Sequence, residues 1–101
     1  MKDINAFLQE YSATPGALLI DLRDEEDYLS GHIPGAKRIS LMTIREDMEA
    51  MAGPDTPIFL YCYSGMRSFQ AEAVLSAEGY THVCSMGGVD QYTGELTEEE
   101  E

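Results

Sequence analysis

The chain has 101 residues, of which 44% are hydrophobic, and it carries a formal net charge of −13 at pH 7. This length and composition fit one domain with a single modest core. The charge argues against binding to nucleic acid or to an anionic membrane surface, because both select faces rich in Lys and Arg.

The two ends of the chain bear on its location and its domain limits. The first residues show no basic segment followed by a long apolar stretch, and no run approaches ~18 apolar residues, so we expect a cytoplasmic, soluble protein. The last residues, "ELTEEEE", form a block of like charge that should stay solvated. We therefore predict one domain at residues 1–94 and a disordered acidic tail at residues 95–101.

The first third of the chain alternates helix and strand. Apolar residues at i, i+3, i+4 and i+7 predict a helix over residues 3–11, and "TPG" ends it. Residues 17–22, "ALLIDL", form a nearly continuous apolar run that is typical of a strand buried on both faces of a parallel sheet. Asp24 is then a candidate N-cap for a short helix that ends at Gly31.

The middle of the chain continues this alternation. Residues 31–36, "GHIPGA", are dense in turn formers, and residues 37–41 can form a short strand. A helix is predicted up to Met51 because apolar residues recur near helical spacing, and "GPDTP" at residues 53–57 ends it.

The last third contains the strongest predicted strand, residues 58–62. Ser68 could cap a helix that ends at Gly79 and turns four apolar residues to the core: Ala71, Ala73, Val74 and Leu75. Residues 81–86 supply another short strand, and "GG" leads into a weak final segment around Tyr92. The alternation predicts a small three-layer α/β domain with a central, mostly parallel sheet flanked by helices.

The two cysteines are better explained as thiols than as a disulfide framework, which usually needs several pairs in a small secreted domain. No metal site and no cofactor are expected, because the possible zinc ligands lack the paired spacing of such sites: Cys62, Cys84, His32 and His82. A free cysteine can still be a small buried hydrophobe or a nucleophile.

Cys62 is the candidate nucleophile because it ends the strongest strand, where its side chain should face the crevice beyond the carboxyl ends of parallel strands. Gly65 can take a positive φ and turn successive backbone N–H groups inward as an anion nest. A helix beginning near Ser68 adds the positive end of its dipole. A thiol in this setting, close to Arg67, should exist substantially as the reactive thiolate.

Three segments carry a specific pattern: "LLIDLRDEEDYLSGHIPGAKRI" at residues 18–39, "YCYSGMRS" at residues 61–68 and "VCSMGGVDQY" at residues 83–92. In this order they resemble the single-domain rhodaneses, or thiosulfate sulfurtransferases, and their rhodanese-like relatives. The resemblance extends from Ala17 to about Tyr92. It implies a small α/β domain with a central parallel sheet and Cys62 as the acceptor of a sulfane sulfur.

The resemblance implies a two-step transfer. The Cys62 thiolate would take sulfane sulfur from thiosulfate or another persulfide and yield it to cyanide in an assay, or to a thiol or sulfur-carrier protein in the cell. Backbone N–H groups of the loop would stabilise the perthiolate, and Arg67 would attract the donor anion. The expected substrate-binding residues are Tyr63, Ser64, Gly65, Met66, Arg67 and Ser68.

Two alternatives remain open. Phosphatases of the same fold use a similar cysteine loop, but theirs resembles C-x-x-x-x-x-R, whereas only four residues separate Cys62 from Arg67 here. The shorter loop favours sulfur over phosphate, because a smaller nest suits a smaller group. A noncatalytic binding module of this fold is the second alternative, although such modules usually lack the cysteine.

Three further residues are secondary candidates. Arg23 could reach the crevice, but a structural ion pair is favoured. Cys84 could face the crevice as a second thiol, although a buried hydrophobe is favoured. His32 is expected to fix the "GHIPGA" turn through backbone hydrogen bonds.

Overall fold

A four-stranded sheet forms the centre of the computed structural model, which describes residues 2–99 of the chain. Its strands are β1 (Leu18–Asp21), β2 (Lys37–Arg38), β3 (Ile58–Cys62) and β4 (Val83–Gly88). They are all parallel and lie in the order β2-β1-β3-β4. The predicted α/β class with a parallel sheet is therefore confirmed, although β2 is shorter than expected.

Helices cover both faces of this sheet, as the alternation of elements predicts. They are α1 (Ile4–Ser12), α2 (Glu25–Ser30), α3 (Ile44–Met51) and α4 (Met66–Ala77), and a short 3-10 turn follows at Val89–Gln91. None of these helices is long and apolar enough to cross a membrane.

Strand β3 divides the core into two parts because successive side chains point to opposite faces. Ile58, Leu60 and Cys62 pack into the cluster that contains residues of α3 and α4. Phe59 and Tyr61 pack into the cluster that contains residues of α1 and α2. Every residue of β3 is buried, and each fully buried side chain of this size contributes roughly 1.5–3 kcal/mol. The strand that ends in Cys62 is thus held rigidly from both sides.

Helix α4 begins earlier than the sequence predicts. Gly65 occupies its N-cap position with φ 105°, so Ser68 is the third residue of the helix and not its cap. The left-handed turn at Gly65 leads the chain from strand to helix with almost no linker. The expectation that Ala73 faces the core is also wrong, because its position on α4 is exposed, whereas Ala71 and Leu75 are buried.

Part of the predicted tail is structured. Thr97 forms an isolated antiparallel bridge with His32, and the two residues exchange backbone N–H···O bonds of 2.8 and 2.9 Å. Leu96 packs beside Gly31, where an added Cβ would lie 3.3 Å from the Leu96 side chain. Residues 96 and 97 thus contact the domain, residues 100–101 lie outside the described chain, and the disorder of the acidic tail stays a prediction.

Candidate active site

Cys62 ends β3 with only 3% of its surface exposed, and its sulfur lies in a ring of backbone donors. The N–H of Gly65 donates to Sγ at 3.0 Å, and the N–H of Ser68 donates at 3.4 Å. Both donors belong to the loop and the first turn of α4, where N–H groups have no partner within the helix. The helix dipole also places positive potential at this position. Donors in this arrangement can stabilise negative charge that forms on sulfur during a reaction.

Two glycines allow the loop to pack this tightly. Gly65 needs its positive φ, and an added Cβ there would lie 3.3 Å from the Gly87 backbone. At Gly88 an added Cβ would overlap the Tyr63 carbonyl oxygen and the Asp90 carboxylate. The end of β4 therefore supports the loop from behind, a role that the sequence analysis did not assign to the diglycine.

Ser68 joins the sulfur to β4. Its buried Oγ lies 3.8 Å from the Cys62 sulfur, 3.0 Å from the Gly65 carbonyl oxygen and 2.9 Å from the hydroxyl of Ser85. The backbone N–H of Ser85 in turn donates to the Glu72 carboxylate at 3.1 Å. The sequence analysis missed Ser85. Neighbouring residues of a strand point to opposite faces of the sheet. Ser85 therefore points away from the face of Cys84 and toward the face of Cys62.

A crevice of about 280 Å³ opens in front of the sulfur. Its lining includes most of the predicted site residues and one that was not predicted, Asp27: Arg23, Asp27, Cys62, Tyr63, Ser64, Met66 and Arg67. Arg67 spans its mouth, half exposed, and donates to the Asp24 carboxylate at 3.0 Å and to the Leu22 carbonyl at 3.3 Å. Asp24 stands at the N-cap of α2 as predicted, but no hydrogen bond joins its side chain to that helix.

Arg23 is a buried structural tie that also borders the crevice. Its guanidinium donates to the Asp21 carboxylate at 2.8 and 3.1 Å and to the Gly31 carbonyl at 2.6 Å. Burial disfavours the charged form of Arg23, but the hydrogen bonds and charge of Asp21 outweigh burial and raise the Arg23 pKa. The Tyr61 hydroxyl completes the cluster by donating to Asp21 at 2.7 Å and accepting from the Ile33 N–H at 3.1 Å.

Cys84 does not lie with Cys62. It is the second residue of β4, pairs in register with Phe59 and packs on the α1 side of the sheet. It lines a separate cavity of about 560 Å³ together with Phe7 and Phe59. Burial, with the nearby Glu72 charge, raises the Cys84 pKa to about 11, so this thiol stays protonated near neutral pH. The idea that Cys84 faces the crevice is wrong, because strand alternation turns it to the other face.

The geometry agrees with comparisons to known proteins. Residues 5–95 match the family model described as Rhodanese-like domain. The chain belongs to this family. The rhodanese-like match covers every strand and the whole of the Cys62 loop.

Two curated relatives of this rhodanese-like chain are named thiosulfate sulfurtransferase. Thiosulfate sulfurtransferase GlpE of Pseudomonas fluorescens is 37% identical over 72% of this chain and 66% of its own length. Thiosulfate sulfurtransferase PspE of Escherichia coli is 42% identical over 69% of this chain and 68% of its own length. The chain thus spans about two thirds of the length of these relatives, and their names support a sulfurtransferase role.

Solved structures show the same fold. A rhodanese-like domain protein from Staphylococcus aureus has a TM-score of 0.80 with 24% identity and covers 99% of this chain and 100% of its own. A structure described as rhodanese with anions from E. coli has a TM-score of 0.74 with 32% identity, over 82% of this chain and 99% of its own.

Proposed function

We propose that this rhodanese-like chain is a cytoplasmic sulfurtransferase that moves sulfane sulfur through a persulfide on Cys62. The observation that carries the proposal is the contact of the Cys62 sulfur with the N–H groups of Gly65 and Ser68, at 3.0 and 3.4 Å. Such donors stabilise negative charge that forms on sulfur, and they cost no reorganisation when it forms.

The first half of the reaction loads the cysteine. The Cys62 thiolate attacks the outer sulfur of thiosulfate, or of another persulfide donor, and forms a new S–S bond. The donor's own S–S bond breaks, and sulfite, or the donor thiolate, leaves with the electron pair. Backbone N–H groups from Tyr63 to Ser68, with the hydroxyls of Ser64 and Ser68, hold the perthiolate, while Met66 borders it and Arg67 attracts the anion.

The second half of the reaction removes the bound sulfur from Cys62. An acceptor nucleophile, cyanide in an assay or a thiol in the cell, attacks the terminal sulfur, and Cys62 leaves as thiolate. A crevice of about 280 Å³ has room for one more sulfur atom, since a disulfide-type bond extends the side chain by about 2 Å. No cofactor is needed at any step, because no electrons are exchanged with a third group.

Intact-mass spectrometry after incubation with thiosulfate tests this proposal. We expect the mass of one added sulfur atom on Cys62, lost again on addition of cyanide with formation of thiocyanate. Cys62→Ser should not gain the sulfur, whereas the matched variant Cys84→Ser should gain it as the wild type does. Normal thiocyanate production by Cys62→Ser would overturn the proposal. Release of phosphate from an aryl phosphate without sulfur loading would favour the phosphatase alternative. A protein that neither gains sulfur nor releases phosphate would favour a noncatalytic binding module.

A further inference from the structure

One side of the crevice mouth is acidic. The first turn of α2 and its N-cap place four exposed carboxylates in a row at residues 24–27, which we call the acidic edge. Asp24 already neutralises Arg67, and Asp21 neutralises Arg23, so both guanidinium groups of the crevice are paired with carboxylates. Asp27 lines the crevice and takes part in no ion pair among residues 2–99. The approach to the sulfur therefore has negative potential.

The other side of the mouth is apolar. Tyr63, Met66 and Phe69 are 65%, 73% and 68% exposed, and all three lie on the loop or the first turn of α4. Phe69 and Met66 also border a groove of about 630 Å³ with Phe7 and Met86. Ser64 and Met66 line both this groove and the crevice, so the two openings are continuous. We call Tyr63, Met66 and Phe69 the apolar edge.

Small sulfur acceptors do not match these two edges. The acidic edge disfavours every small anion, the thiosulfate donor and glutathione alike, and Arg67 offsets it only in part because that side chain is paired with Asp24. Cyanide is too small to contact the three side chains of the apolar edge. Exposed aromatic and methionine side chains beside a reactive group are typical of a protein-binding surface. A positively charged partner complements the acidic edge and approaches faster because of it.

We propose that the acceptor of the Cys62 persulfide is a cysteine of a partner protein, carried on a surface with basic side chains on one flank and an apolar side chain on the other. This inference rests on the proposed sulfur transfer and names its acceptor. The basic flank lies against the acidic edge, and the apolar side chain enters the groove between Met66 and Phe69.

The transfer step balances without any other reactant. The partner thiolate attacks the terminal sulfur of the Cys62 persulfide and forms a new S–S bond. The bond between the two Cys62 sulfurs breaks, and Cys62 leaves with the electron pair as a thiolate. The partner then carries the persulfide, and neither an oxidant nor a reductant is consumed.

Unloading can be measured separately from loading. The full chain is loaded with thiosulfate, freed of excess donor and mixed with cysteine peptides of equal length, and the loss of sulfur from Cys62 is followed by mass spectrometry. Three peptides are compared: one with lysines and a leucine beside the cysteine, one with glutamates and the same leucine, and one with lysines and a glycine. Glutathione serves as the small acceptor.

We expect the lysine and leucine peptide to unload Cys62 fastest, by about 5-fold or more over the glutamate peptide at low salt, since each exposed charge pair changes a rate by a small factor. The difference should shrink at high salt. Glu25→Gln with Glu26→Gln should reduce the preference for lysine, whereas Glu49→Gln, which removes one charge beside the loop before β3, should leave it intact. Phe69→Ser should slow the leucine peptide and leave the glycine peptide unchanged.

Each outcome bears on a distinct claim. Equal unloading by lysine and glutamate peptides, a preference unaffected by the Glu25 and Glu26 substitutions, or glutathione as fast as the best peptide would overturn this inference while leaving sulfur transfer intact. Failure of Cys62 to load with sulfur would overturn the proposed function and, with it, this inference.

Discussion

Removal of the Tyr61 hydroxyl, by Tyr61→Phe, is expected to destabilise the fold strongly although it removes a single atom. The hydroxyl donates to the Asp21 carboxylate at 2.7 Å and accepts from the Ile33 N–H at 3.1 Å, and Tyr61 is fully buried. Loss of a hydrogen bond to a charged group costs about 1.5–3 kcal/mol, and an unsatisfied buried N–H costs about 1–3 kcal/mol.

Even near the lower ends of these ranges, the two costs together give an expected loss of about 3 kcal/mol in the free energy of unfolding. For a domain of about 100 residues, a loss of that size lowers Tm by on the order of 15 °C. Urea unfolding followed by far-UV circular dichroism measures it directly, and the midpoint should fall without a change in the slope m. Tyr63→Phe is the matched control, because it deletes a hydroxyl from a side chain that is 65% exposed.

The reasoning would be refuted if Tyr61→Phe unfolded within about 0.5 kcal/mol of the wild type, the range of ordinary surface substitutions. The same variant should keep its sulfur loading at temperatures below its Tm, because the Tyr61 hydroxyl bonds to Asp21 and Ile33 and not to the crevice. A loss of loading in the folded variant would place Tyr61 in the active site instead.

Three further changes have defined outcomes. Gly88→Ala should lower the rate of sulfur loading much more than Gly79→Ala. A Cβ at Gly88 overlaps the Tyr63 carbonyl, whereas a Cβ at Gly79 meets nothing within 4 Å. Equal rates of the two variants in a thiocyanate assay would contradict this prediction. Ser68→Ala should slow loading by about 10-fold, because it removes the buried hydroxyl that accepts from the Cys62 thiol and that also hydrogen-bonds the Gly65 carbonyl and the Ser85 hydroxyl, with Cys62 still loading fully at long times in mass spectrometry. Stability should fall between pH 9 and pH 11, because the unfolded Cys84 thiol ionises while the folded one, whose pKa is raised to about 11, keeps its proton; urea midpoints of Cys84→Ala should fall less over that range.

The order of elements and the place of Cys62 could be predicted from the sequence because both depend on local signals. The apolar run at residues 58–62 has turn formers on both sides, and a cysteine at the carboxyl end of a buried parallel strand has only one crevice to face. Likewise, the few residues between Cys62 and Arg67 predicted a tight loop followed by the start of a helix next to the sulfur, and α4 begins there at Met66.

The remaining site residues depend on contacts between distant segments, which periodicity does not reveal. Asp27 reaches the crevice because α2 lies beside the Cys62 loop, and Ser85 reaches Ser68 because β4 pairs with β3. Cys84 was considered as a second thiol of the crevice because the predicted strand ended at residue 86, whereas β4 continues to Gly88. Neighbouring positions of a strand face opposite sides of the sheet, and Cys84 lies on the side away from Cys62. The pairing of Thr97 with His32 was not predicted, because the glutamates around Thr97 indicate a solvated segment with no backbone partner.

The contact between Glu72 and the Ser85 N–H has a consequence for self-association. Strand β4 is an edge of the sheet, and an edge with free N–H groups can pair with a strand from another molecule. The Glu72 carboxylate occupies one of these donors at 3.1 Å and adds negative charge along the same edge. Helix α4 thus begins beside the Cys62 sulfur and, at Glu72, covers one donor of the open edge of the sheet, which works against strand addition at that point.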